Sequence, residues 1–248
     1  MKPRYLVVFA LLAFLTGCVP VDSLNPLYTA KDVAFDESLL GFWVGPDNGE
    51  EGGLEFSELA GLDNKTLGEG GARAYVLTMY DKPRDSVRGS KTVYHAHLVN
   101  LGGRRFLDAV PEQWDARSEL YSLQVKTRKS GSSIEPSLLR LGSAVYMEFS
   151  QGTPGVGGSI QANLRRAHWI IKLNRNDQKL RLDWADDDDF RKSVQAGTMH
   201  LPAALLGEGA NRDVVITAGT AELQKFVVEH ADDGKFFTSK AEELHRKE

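Results

Sequence analysis

Cysteine is almost missing from this chain: Cys18 is the only one in 248 residues. That excludes a disulfide framework and any site built on paired thiols. Long hydrophobic runs are also missing. The most apolar stretch, residues 5–15, is eleven residues long, and a helix needs about twenty to cross a bilayer core. Basic charge is not in excess either. Thirty Lys and Arg stand against 34 Asp and Glu for a net charge of −4, which argues against a nucleic-acid partner, since that requires a basic face. The common catalytic signatures are absent: there is no G-x-S-x-G and no H-E-x-x-H. The Gly-rich segment 152–159 has no following Lys-Ser or Lys-Thr for a P-loop. Ile160 takes the last glycine position of a G-x-G-x-x-G counted from Gly155. These absences lower the expectation of an enzyme without excluding one, and no cofactor is implied. What remains, 42% hydrophobic and 26% charged residues, is the composition of a soluble globular body.

The first twenty residues are the most informative. Lys2 and Arg4 form a basic start, residues 5–15 an apolar core, and Leu15-Thr16-Gly17-Cys18 follows directly. This L-T-G-C run resembles the lipobox of bacterial lipoprotein precursors. The resemblance implies that residues 1–17 are a signal peptide, that the Cys18 thiol takes a diacylglyceryl group, and that its new amine is acylated. Each buried methylene contributes about 0.8 kcal/mol, so a multi-chain anchor holds stably where one chain does not. In that family Asp after the cysteine favours the inner membrane; Val19 therefore points to the outer membrane, with the body facing the periplasm. Loss of Lys2 and Arg4 would take the net charge from −4 to −6. The acyl chains, not surface charge, would then hold the protein to its membrane.

Residues 18–40 read as a lipidated N-terminus and a short tether. It carries too many large apolar residues (Leu24, Leu27, Tyr28, Val33, Phe35) for a free linker, so part of it is expected to pack on the body. Asp36 is placed to cap a short turn through Leu39 and Leu40. From 41 to 248 the dominant signal is period two. Tyr75, Leu77 and Met79 alternate with Val76, Thr78 and Tyr80. Val93, His95, His97, Val99 and Leu101 share one face, Gly102-Gly103 is a turn signal, and 106–110 reads as the returning strand. Strands are also expected at 120–126 and 144–150. A second hairpin pairs Trp169, Ile171 and Leu173 with Leu180, Leu182 and Trp184, around a turn at 174–177. Two helices are expected, a short one near 186–195 and a second near 220–231 with Leu223, Phe226, Val227 and His230 on one stripe. Residues 127–165 are Gly- and Ser-rich and read as an insertion. The fold class is therefore mainly β, a single antiparallel barrel or sandwich.

Gly41-Phe42-Trp43 resembles the G-x-W that opens the first strand of lipocalins and related calycins. That resemblance implies a barrel with the Trp across its closed end, a late helix, and a ligand inside the barrel. His95-Ala96-His97 places two imidazoles on one strand face, a spacing that suits a metal. A third ligand would have to come from Asp108, Glu112, His168 or His200; the alternative is a hydrogen-bonded pair on a half-buried strand. The acidic run 186–189 fits no EF-hand register and reads as a helix N-terminus enriched in acids.

Three longer stretches, L-N-P-L-Y-T-A-K-D-V-A-F-D-E-S-L-L-G-F-W at 24–43, F-L-D-A-V-P-E at 106–112 and I-T-A-G-T-A-E-L-Q-K-F-V-V-E-H at 216–230, resemble a group of uncharacterised bacterial lipoproteins. No activity comes with that resemblance. The expectation is a lipid-anchored envelope protein whose β-domain binds a small apolar ligand or an envelope partner. An accessory subunit of an envelope complex, or a metal-dependent hydrolase using His95 and His97, are the alternatives. Cys18 is the one residue with an assigned role, lipidation; ligand-binding residues are unassigned.

Overall fold

A computed structural model of the chain describes residues 21–45, 52–59, 73–80, 91–112, 138–140, 145–151, 160–176, 178–185, 187–206, 213–234, 236–237 and 242–247. The strands are β1 (Asp22–Ser23), β2 (Val33–Ala34), β3 (Gly41–Val44), β4 (Gly53–Glu58), β5 (Tyr75–Tyr80), β6 (Lys91–Leu101), β7 (Arg104–Pro111), β8 (Leu138–Arg140), β9 (Val145–Gln151), β10 (Ile160–Arg166), β11 (His168–Asn176), β12 (Lys179–Trp184), β13 (Ala203–Leu206), β14 (Asp213–Ile216) and β15 (Glu242–Arg246). Among the described residues the helices are α1 (Asp187–Gln195) and α2 (Thr220–His230), with a 3-10 turn at Glu37–Leu39.

Eight strands close into an antiparallel barrel in the order β3-β4-β5-β6-β7-β11-β12-β15, with β15 returning to β3. Barrel, not sandwich, is thus the outcome, and closure leaves no exposed edges in the ring. The expected hairpins form the wall. In the β6–β7 hairpin Gly102 and Gly103 have φ of +57° and +74°, the left-handed pair that a two-residue turn between twisted strands demands. The β11–β12 hairpin is longer than the sequence pattern suggested, because β11 runs on to Asn176. β8, β9 and β10, within and just beyond the Gly/Ser-rich region, form a three-stranded sheet of their own. The predicted strand at 120–126 and the segment 152–159 lie outside the described residues.

Alternation sorts the wall residues. Trp43, Leu54, Phe56, Tyr75, Leu77, Tyr94, Ala96, Leu98, Leu107, Ala109, Ile171, Leu173, Leu180, Leu182 and Leu244 point inward and form one contiguous buried cluster. Over the described residues the interior is therefore a packed core. One end is plugged by the 3-10 turn, which Asp36 caps by accepting from the Ser38 amide at 3.0 Å. Leu39 beneath it is fully buried, and Trp43 Nε1 donates to the Leu39 carbonyl at 2.8 Å. Arg105 donates to Asp36 Oδ2 at 2.7 Å, so the plug is held by charge as well as by apolar contact. Burial pushes the Asp36 carboxyl up, but its hydrogen bonds from Ser38 and Arg105 win and hold it below the usual range.

A second core lies outside the barrel. Val99, Leu101, Phe106 and Ile170 on the outer wall meet Leu223, Phe226 and Val227 of α2, Phe190 of α1, and Val21 and Leu27. The stripe read from the sequence, i, i+3, i+4 on α2, is thus its buried face. Lys172 fixes the end of α2 by donating to the Ala231 carbonyl at 2.8 Å and to Asp232 at 2.6 Å, satisfying an orphan carbonyl at the negative end of the helix. Arg104 also holds Asp232, at 2.5 Å, and the hydrogen bonds from Arg104 and Lys172 lower that carboxyl to about 2.

The segment 21–36 is a strap between α2 and the wall. Its β1 pairs with β11 and with β14, which carries β13 in turn. Its β2 pairs with β6. Thr220 and Gln224 of α2 donate to the carbonyls of Pro26 and Leu27 at 2.9 and 2.8 Å. The chain is thus fixed from Val21, which is 1% exposed.

Candidate functional site

Among the described residues, two places combine chemistry with burial. The first lies under the strap. His97 and Asp108 face each other across β6 and β7, and Asp108 faces Ile170 across β7 and β11. Asp108 is fully buried, and its two oxygens are separately engaged. One lies 2.6 Å from His168 Nδ1 and the other accepts the Leu27 amide at 2.6 Å. A buried carboxylate is stable only when paired and hydrogen-bonded; here the strap itself supplies a donor. Tyr28 tilts against the His97 ring with centroids 4.4 Å apart. Burial, then the nearby Asp108 charge, pushes the Tyr28 hydroxyl up to about 12. Burial pulls the His97 imidazole below its usual range. Asp108 opposes that shift, and His168 and His95 reinforce it. His97 Nδ1 is buried with no hydrogen-bond partner among the described residues.

This cluster is better suited to holding the strap than to catalysis. Ser23 lies opposite His168 in register, but its hydroxyl donates to the Asn25 carbonyl at 2.8 Å and the residue is fully buried. A serine so engaged is not poised to attack a substrate. For a metal, Asp108 has already committed an oxygen to each neighbour. His95 Nε2 lies 3.7 Å from Glu112 on the same outer face. Among the described residues, no group of three His, Cys, Asp or Glu side chains could hold a metal ion.

The second place is a cavity of about 570 Å³ between α1 and the C-terminal end of α2. Phe190, Phe226, Phe236 and Met199 give it an apolar floor. The three rings pack edge-to-face or tilted, with centroids 5.1 to 6.2 Å apart, the geometry aromatic quadrupoles favour. Asp189, Lys192, Ser193, Thr198, His200, His230 and Asp233 supply the polar rim. The rim carboxylates already have partners: Asp189 accepts from Lys192 Nζ at 3.0 Å, and Asp233 lies 2.5 Å from His230 Nδ1. His230 also lies on Phe226, centroids 4.3 Å apart. The volume falls within the range of small-molecule sites, roughly 300–1,000 Å³.

The chain matches no family model, no curated protein and no solved structure. The site therefore rests on its own geometry.

The residues singled out from the sequence are divided between the two places. His97, Asp108 and His168 come together, and Tyr28, which the sequence reading gave only as a packing residue of the tether, joins them. His95 pairs with Glu112 beside that cluster. His200 lies on the rim of the cavity instead. Cys18 and Asp186 lie outside the described residues. Asp188 and Asp189 sit at the start of α1, paired with Arg191 and Lys192, as an acid-rich helix N-terminus should be. The phenylalanines of the cavity were missed because Phe190 belongs to a different helix and Phe236 lies beyond the end of α2, outside its periodic stripe. Only Phe226 and His230, one turn apart on the α2 stripe, gave any sign. No helix among the described residues is long and apolar enough to cross a membrane.

Proposed function

We propose that this protein is a lipid-anchored lipoprotein of the bacterial envelope, facing the periplasm from the outer membrane. Its barrel is a scaffold, and its binding site for a small ligand is the cavity between α1 and α2. The observation that carries this reading is the contrast between the two candidate spaces. Inward-facing side chains fill the barrel, whereas the space outside it is roomy, apolar at its base and polar at its rim. An apolar pocket with a few convergent polar groups is the usual form of a small-molecule site. The L-T-G-C run supports the anchor. Two residues, Val19 and Pro20, separate Cys18 from the fixed Val21, a reach of at most about 11 Å, so lipid on Cys18 would hold the body against the membrane surface.

Native mass spectrometry of the full-length protein, purified from its own envelope under gentle conditions, tests both parts. The expected masses show a triacylated N-terminal cysteine and a retained small molecule. A Ser193→Trp variant, which places an indole in the cavity, is expected to lose the small molecule and keep the lipid. An unmodified Cys18 would remove the anchor. A ligand retained equally by the variant would move the site elsewhere.

A further inference from the structure

The cavity's ligand class follows from its wall and from its place on the body. This inference rests on the anchored, ligand-binding reading above. The floor is formed by Phe190, Phe226, Phe236 and Met199 and offers no polar partner, so the buried part of a ligand must be apolar. The carboxylates on the rim each have a partner in the chain itself, Asp189 the Lys192 ammonium and Asp233 the His230 imidazole. A ligand carrying either charge would have to compete with one of these pairs. An uncharged head can accept from or donate to the rim, at Ser193 for instance, and leaves both pairs intact. Position adds the source. α1 packs on β13 and β14, and β14 is the strand that receives β1. The α1 wall of the cavity thus rests on the strand that pairs with β1, where the chain arrives from Cys18.

We infer that the cavity between α1 and α2 takes an uncharged single-chain amphiphile, a long-chain alcohol or monoacylglycerol in chemical class, drawn from the bilayer beneath the protein. The apolar chain lies on the three phenylalanines and the hydroxyl head stays at the rim. The rim pairs discriminate against fatty acids and alkylamines of equal length, because each would lose a partner's charge or meet a like one. The surrounding bilayer supplies the ligand without passage through water.

The test uses the full-length protein, purified from its own membranes and placed in bilayer discs. Thr198, exposed at the cavity rim, is changed to Cys and labelled with an environment-sensitive fluorophore. Acylated Cys18 leaves no second thiol, so one label per chain is expected. Discs are doped with dodecanol, dodecanoate or dodecylammonium. Dodecanol should saturate the signal at a bilayer mole fraction at least tenfold below either ion, and Ser193→Trp should abolish the response. An equal or stronger response to an ion overturns the ligand class. No saturable response to any of the three overturns the cavity as a binding site, and with it the reading beneath this one. Loading from the protein's own disc should be faster than loading from separate vesicles; equal rates overturn the bilayer as the source. Two labels per chain show an unacylated Cys18 and overturn the source on separate grounds.

Discussion

Asp108 offers the sharpest test of how this structure is held. It is fully buried and makes two charge-assisted hydrogen bonds of 2.6 Å, to His168 and to the Leu27 amide. Bonds of that kind contribute about 1.5–3 kcal/mol each, and breaking a buried pair by removing one partner costs about 3–5 kcal/mol. Asp108→Ala should therefore destabilise the protein by about 3–5 kcal/mol in urea unfolding at pH 7. Asp108→Asn should cost less, about 1–2 kcal/mol, because its carbonyl can still accept from Leu27 while its amide donates to His168 in the other tautomer. The loss should also be local. Hydrogen exchange at the Leu27 amide should accelerate more in Asp108→Ala than exchange in β6, since the strap loses its fastening to the wall before the barrel opens. A cost below about 1 kcal/mol for the alanine variant, or uniform acceleration across strap and barrel, would refute this account of the carboxylate.

Three further outcomes follow from the geometry. Trp43→Phe should cost about 1–3 kcal/mol by leaving the Leu39 carbonyl unpaired, and Trp43→Ala about 3–5 kcal/mol. Equal losses of thermal stability in the two variants would show that ring volume does not close the barrel. In the β6–β7 turn, a Cβ at Gly102 would meet Val228 Cγ1 at 2.8 Å with φ at +57°, whereas Gly103 has open space around it. Gly102→Ala should thus cost about 1–3 kcal/mol from strain and overpacking. Gly103→Asn should be nearly neutral by the same denaturation assay, since Asn tolerates the left-handed region. The fourth outcome concerns pH. The His97 pKa is depressed in the folded state below its ordinary 6.5, so the unfolded chain binds the proton first as pH falls. The stability contributed by neutral His97 is complete above about pH 6.5 and declines below it, down to the folded-state value. His97→Phe, which keeps an aromatic ring beside Tyr28, should flatten that slope between pH 5 and 7 in urea titrations; an unchanged slope would assign it to other groups.

Much of this architecture was present in the alternation and turn chemistry of single segments. Period two fixed which residues of β5, β6, β11 and β12 share a face, and Gly102-Gly103 located the hairpin, because these depend on local backbone geometry alone. The acid-led α1 and the apolar stripe of α2 were legible for the same reason. Closure of the ring was not: β15 meets β12 and β3 through pairings about 65 and 200 residues apart in sequence, and nothing local distinguishes a closing strand from an edge strand. Nor could the pattern show that both faces of β6 are buried, the outer one beneath α2 and the strap. The sequence therefore favoured a hydrogen-bonded His97 on a half-buried strand and left a metal role as the alternative.

The sequence by itself determined the strand faces, the two helices and the single thiol at position 18, since each is a property of a short stretch of chain. Only the tertiary structure decided that the barrel is filled, that Tyr28 joins His97, Asp108 and His168, and that phenylalanines 190, 226 and 236 enclose a space beside α2. Those facts require segments distant in the chain to meet, and which segments meet is settled by burial of the whole apolar surface at once.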